Sequence, residues 1–344
     1  MKINTKSVVK YLLLLLLTAG MLFLAFRKVE WGDFWGIMAG CNWWWIVATM
    51  LLQCVITLLR GERWRVMLRP LSRDFTTREC YDAYAICYLA NLIFPRSGEV
   101  VRCGLAAETK KANFEGALGT VVIERTWDIL CVFLSCIPLL FFGNFRTFLY
   151  EKMFKPAAAA LNLGNLWTIL IIAAVVIALI FIVRAKRKKI AASRPGAAVI
   201  GFFRGLADGI KAAFRMERKW EFFAYTLIIW VFYWLCSLWT VYAFPQAASL
   251  DGWDALFLMV VGSLGWIVPV QGGFGVYHFI VATTLVPVYG FSQDAGLAFA
   301  TISHESQVVQ MLVIGLISLA SWALWRRRNR KAAIQDNNVN LPIV

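Results

Sequence analysis

The stretch Asn91-Leu92-Ile93-Phe94-Pro95-Arg96-Ser97-Gly98-Glu99-Val100-Val101-Arg102 decides the fold of this chain. It interrupts an apolar segment, about residues 80–112, with a proline, a glycine and three charged residues. Pro95 removes a backbone donor and disfavours helical backbone at Phe94, while Gly98 permits a sharp reversal. Broken backbone inside a bilayer survives only where it is buried in protein or lines a cavity, because lipid cannot bond the freed N–H and C=O groups. A second apolar segment, about 254–290, is interrupted from Pro269 to Gly275. The two breaks share a spacing, Asn91-x3-Pro95-x2-Gly98 and Gly265-x3-Pro269-x2-Gly272.

Composition places both breaks in lipid. Of 344 residues, 60% are hydrophobic and 16% charged, which excludes an ordinary soluble domain. Long apolar stretches near residues 8–26, 43–60, 117–142, 166–183, 222–244 and 295–323 each have about the 17–25 residues needed to cross a bilayer. The first resembles a secretory signal, with Lys2, Lys6 and Lys10 before the Leu12–Leu17 run. It extends to Phe26 without a small-residue cleavage pattern, so a retained helix is expected. The 8 cysteines form no CxxC pair and no His/Cys spacing suited to zinc; they read as packing residues, and no metal or cofactor is expected. The formal charge of +15 carries no aromatic-plus-basic nucleic-acid module.

The basic residues instead report topology. With both termini in the cytoplasm, 29 of the 35 Lys+Arg residues fall on the cytoplasmic side, five lie outside, and Arg125 sits within a helix. The expected fold is therefore all-α: a polytopic membrane protein with six transmembrane helices and two re-entrant broken-helix hairpins in an inverted repeat. Its first repeat covers residues 1–165, its second 166–325, and a basic cytoplasmic tail follows at 326–344. Val122-Ile123-Glu124-Arg125 and Thr301-Ile302-Ser303-His304 occupy matching places after their hairpins. Inverted repeats with discontinuous helices are the plan of secondary transporters, whose site lies near the midplane. Residues 199–219 read as an amphipathic interfacial helix, Phe203, Leu206, Ile210 and Phe214 opposing Arg204, Lys211, Arg215 and Arg218.

Ionisable groups at membrane depth cost about 2.5–3.5 kcal/mol each, so each asks for a partner or a function. At the first break Ser97 reads as the N-cap of a half-helix whose first N–H groups, with Arg96, Gly98 and Glu99, suit a phosphate. Arg102, one turn on, reads either as a bidentate phosphate ligand with Glu99 as its resting partner or as a cytoplasmic-edge charge. Arg60, Glu62 and Arg63 end the second helix, where topology alone also accounts for charge. Glu124, Arg125 and Asp128 form a polar stripe at helical spacing, suited either to a zwitterionic headgroup or to a structural ion-pair network. Gln271, Gly272 and Gly273 open the second break with backbone capable of an anion nest. His278 and His304, the chain's only histidines, are candidates for proton coupling; neutral, hydrogen-bonded histidines are the alternative.

These residues carry a family resemblance. Arg60, Pro95-x2-Gly98-Glu99-x2-Arg102, Glu124-Arg125-x2-Asp128 and Gly272-Gly273-Phe274-Gly275 together resemble the lysylphosphatidylglycerol synthase transmembrane-region family. That family includes the flippase half of the bacterial multiple peptide resistance factor. The resemblance implies an inner-membrane lipid translocase fold, multi-pass in the bacterial cytoplasmic membrane. The chain differs in ending soon after its last helix without an aminoacyl-transferase domain, so lysyl transfer is not expected. It also carries Gln271 where proline is common, His278 where an acidic residue is common and His304 where arginine is common.

The function expected is a lipid flippase-like transporter, not an enzyme, moving an anionic phospholipid or lipid-linked glycan headgroup. Its partners would be membrane lipids, with no nucleic acid, and homo-oligomerisation is left open. The alternatives are a lipid-modifying enzyme or glycosyltransferase accessory, for which no DxD, HExxH or Ser/His/Asp arrangement is found, and a non-transporting scaffold.

Overall fold

The computed structural model describes residues 5–148, 150–151, 155–160, 168, 170, 194–268 and 270–339. Apart from residues 168 and 170, the expected span at 166–183 lies outside them, as does Pro269. Among the described residues every regular element is a helix.

The helix starts at Asn42, Thr76 and Asp251 show side-chain capping chemistry. α1 (Thr5–Phe26) and the short α2 (Trp31–Ala39) precede α3 (Trp43–Leu68), whose N-cap Asn42 accepts from the Trp44 N–H. α4 (Thr77–Ile93) opens on a capping box, Thr76 and Glu79 each satisfying the other's backbone N–H. It stops where Phe94 turns to extended backbone before Pro95, and α5 (Gly98–Glu108) begins after the break. α6 (Phe114–Leu139), α7 (Gly143–Phe148) and α8 (Lys155–Ala160) follow. Then come α9 (Arg194–Phe214) and α10 (Lys219–Ala243). α11 (Gly252–Ile267) starts on a second capping box, Asp251 with Asp254. After a single turn at Gln271–Gly273 come α12 (Val276–Tyr289) and the long α13 (Gln293–Val339). Both segments expected to break do so. The amphipathic helix begins and ends about five residues earlier than expected, at Phe214, and α10 starts at Lys219.

Among the described residues, the helices long and apolar enough to cross a membrane cover Trp43–Leu68, Lys219–Ala243, Gln271–Tyr289 and Gln293–Asn329. Leu13–Phe26 and Gly252–Trp266 are shorter apolar helices. α6 is a less continuous apolar stretch, because Glu115, Glu124, Arg125 and Asp128 lie along it. Large apolar side chains face outward along the helices: Leu51, Phe133, Leu227 and Ile317 are each 64–67% exposed, a surface suited to hydrocarbon rather than water.

The chain forms two compact units, residues Met1–Val121 with Arg218–Val344, and Val122–Glu217. In the first, α3 lies along α10, with Ile56, Ile229 and Cys236 buried between them. α4 lies along α13, and α12 along both α11 and α13. Past its middle, α13 is clasped by polar side chains: Ser321 donates to Asp82 at 2.7 Å, and Arg78 donates to the Ser321 carbonyl at 2.8 Å. In the second unit α9 packs on α6, with Gly209 against Thr126 and the Phe214 ring edge-on to Trp127.

Candidate functional site

The first break is held by its own backbone and by Asn91. Asn91 Oδ1 accepts the Gly98 N–H at 2.8 Å, while the Ser97 hydroxyl donates to the carbonyls of Ala90 (3.1 Å) and Phe94 (2.9 Å). Ser97 therefore occupies the N-cap position without accepting a capping bond, a correction to its expected role. Its hydroxyl instead stitches the break together by adding a second bond to two carbonyls at the end of α4 that already accept the N–H groups of Phe94 and Ser97. Arg96 is exposed and has φ +56°, a left-handed conformation that costs a non-glycine residue about 1–2 kcal/mol. Gly98 is buried, and Glu99 half-buried.

One turn beyond, Arg102 is fully buried, its guanidinium 4.1 Å from the Tyr84 ring centroid and 4.6 Å from that of Trp64. Two aromatic rings so close fix the plane of the fork and stabilise its charge in a low-dielectric setting. Trp64 is fixed in turn by donating its indole N–H to Thr120 Oγ1 at 2.8 Å. Arg60 lies 5.7 Å from the same Tyr84 ring and donates to the Tyr88 hydroxyl at 2.9 Å. Arg63, fully buried, donates to Thr226 Oγ1 and lies 5.9 Å from the Phe222 ring. The expected residues Arg60 and Arg102 thus share one aromatic cage. Trp64, Tyr84 and Tyr88 complete it without having been singled out from the sequence; the signal available was the Arg60-x2-Arg63 spacing followed directly by Trp64.

The second break gathers a different chemistry. Gly272, Gly273 and Gly275 have φ of +52°, +77° and +76°, so the glycine loop makes the reversal expected of it. Gln271 Oε1 accepts from Thr18 Oγ1 of α1 at 3.3 Å. The Gly272 carbonyl lies 2.8 Å from His304 Nε2. His304 is fully buried, stacked on Trp266 with centroids 5.2 Å apart and flanked by Phe274 and Tyr277 at 4.9 and 5.0 Å. His278, also buried, has its ring 4.9 Å from that of His304. Glu305 faces both: its Oε1 is 3.1 Å from His304 Nδ1 and 3.4 Å from His278 Nε2. Glu305 was not expected, because neighbouring residues on a helix normally point apart; a carboxylate long enough to reach back under His304 defeats that rule.

The two breaks touch. Leu92 Cδ2, at the end of α4, lies 2.9 Å from the place a Cβ on Gly272 would take. Both belong to the first unit, as do both clusters.

Glu124, Arg125 and Asp128 belong to the second unit. Glu124 is fully buried. Arg125 pairs with Asp128 across 3.7 Å, one turn along α6, the ion-pair arrangement that the spacing allowed.

The family model describing the lysylphosphatidylglycerol synthase transmembrane region matches residues 11–324. The chain belongs to that family. Neither a curated protein nor a solved structure matches it. As a member of the lysylphosphatidylglycerol synthase transmembrane region family, the chain is a multi-pass membrane protein of lipid-related type. The family match runs through both breaks and both clusters and ends just before Arg326.

Proposed function

We propose that this chain is a flippase-like transporter of the bacterial inner membrane, with both termini in the cytoplasm, and that it moves a lipid headgroup rather than transforming one. The headgroup would be that of an anionic phospholipid or a lipid-linked glycan. The observation that carries the reading is the contact of two interrupted helices at Leu92 and Gly272, with the caged arginines Arg60 and Arg102 packed beside the first. Interrupted helices supply polar backbone at a depth where continuous helices supply none.

In this reading the headgroup passes the meeting point of the two breaks while its acyl chains remain in hydrocarbon. Arg102, its fork held flat by Trp64 and Tyr84, donates to phosphate oxygens as a preorganised planar group, so little side-chain freedom is lost on contact. Arg60, on the Tyr84 ring, adds a second positive charge. Arg96, Ser97, Gly98 and Glu99 border the entry, and Gln271, Gly272 and Gly273 supply the opposing backbone. Family membership and the lipid-suited outer surface support lipid as the cargo.

The test is reconstitution of the full chain into vesicles carrying headgroup-labelled lipids from a native extract, with leaflet exchange followed by quenching of outer-leaflet label. Exchange above protein-free vesicles, lost in R102A, is the expected result. No exchange with any native lipid class would defeat the proposal.

A further inference from the structure

We propose that His278, His304 and Glu305 form a binding site for a divalent transition-metal cation of the zinc type. The inference does not rest on the transport reading, and it departs from the sequence expectation of no metal. One ligand atom from each residue lies within 4.8 Å of the other two. The sequence hid this set because its histidines stand on different helices, outside any short ligand spacing.

Donor and acceptor chemistry carries the argument. The Gly272 carbonyl can only accept, so His304 Nε2, 2.8 Å away, carries the ring hydrogen. A neutral His304 then directs the lone pair of Nδ1 at Glu305 Oε1, only 3.1 Å away, and an ionised carboxylate offers a lone pair in return. His278 Nε2 stands 3.4 Å from the same oxygen. His278 Nδ1 meets no partner, so Nε2 is its one nitrogen facing a polar group, and the three atoms turn toward one point that a cation can share.

The geometry suits a metal in that place. Tetrahedral ligands about 2.0–2.1 Å from zinc stand about 3.3 Å from one another. The two separations from Glu305 Oε1, 3.1 and 3.4 Å, bracket that spacing. Imidazole nitrogen with carboxylate oxygen favours zinc-type ions over magnesium or calcium. His304 also has the outer support typical of a ligating histidine: its far nitrogen is bonded to a backbone carbonyl, which fixes tautomer and ring orientation. Trp266, Phe274 and Tyr277 pack around that ring and hold it in place. Glu305, 38% exposed, leaves one side open for a fourth ligand, water or an anionic oxygen.

The experiment uses the full chain in detergent, stripped with a chelator and titrated with Zn²⁺ alone by calorimetry, then with Co²⁺ followed by visible absorption. One ion per chain and a tetrahedral Co²⁺ spectrum are expected. Since outer-shell changes alone typically weaken metal sites 10–100-fold, E305Q and H278Q should each weaken binding at least about 10-fold. Both variants are checked for an unchanged elution profile. X-ray absorption on the zinc-loaded natural chain provides a readout independent of variant folding, with a shell containing two imidazoles expected. Failure of the natural chain to take up an ion, a zinc shell without imidazole, or equal binding by folded E305Q would overturn the proposal.

Discussion

Asn91 Oδ1 accepts the N–H of Gly98 at 2.8 Å, closing the first helix break across seven residues. A Cβ on Gly98 would lie 2.1 Å from the Cys87 carbonyl oxygen and 2.7 Å from Asn91 Nδ2. Because the nearest atom is backbone, no side-chain rotation relieves the overlap. The break is a packed structure with a single admissible residue at its hinge.

G98A is expected to lower stability by about 3 kcal/mol or more, at the upper end for overpacking. N91A, which leaves the Gly98 N–H without its acceptor, is expected to cost about 1–3 kcal/mol. Denaturant unfolding in detergent ranks the two. An unaffected G98A would mean that α4 and α5 do not approach as described.

Arg102 is held by ring contacts that lysine's point charge cannot reproduce in the same plane. R102K should leave the chain folded, shift unfolding by about 0.5–2 kcal/mol, and reduce leaflet exchange at least tenfold. W64F, which loses the Thr120 bond, should show a smaller exchange defect with a stability loss of about 1 kcal/mol. Exchange in R102K equal to the natural chain would remove Arg102 from the headgroup path.

Gly272 combines φ +52° with the close approach of Leu92. G272A is expected to cost about 1–2 kcal/mol from backbone conformation, plus the overlap with Leu92 Cδ2. L92A/G272A removes the overlap and keeps the strain, so a double-mutant cycle should return a coupling of at least about 0.5 kcal/mol. Strict additivity would mean the two breaks are not in contact.

Glu108, at the end of α5 and outside the apolar spans, accepts from Arg326 and from the Trp322 indole N–H. The Arg326 bond holds its carboxyl below the ordinary carboxylate range against the opposing effect of partial burial. A lowered folded-state pKa gives stabilisation that is complete above the unfolded value and lost as pH falls through the folded one. The unfolding midpoint of the natural chain should therefore exceed that of E108Q at neutral pH and converge with it under acid conditions. The pair is partly exposed, so the difference should be about 0.5 kcal/mol and shrink with salt.

The sequence by itself determined the membrane class, the helical architecture, the two break points and the family. Each of these is written in local chemistry: apolar runs, Pro95 and Gly98, and the glycines from Gly272 to Gly275 restrict backbone and solvent whatever packs around them. Capping pairs such as Thr76 with Glu79 were equally local. Tertiary structure alone decided which of the flagged residues share a site. Arg60 and Arg102 meet through Tyr84 because α3, α4 and α5 converge, and no spacing along the chain encodes that convergence. Trp64 matters because it faces Arg102, and Glu305 because it reaches two imidazoles from two helices. Ser97 lost its capping role to Asn91 when the chain folded back on itself over seven residues. Periodicity reports what one helix offers; partner identity depends on side chains brought together across dozens to more than two hundred residues of chain.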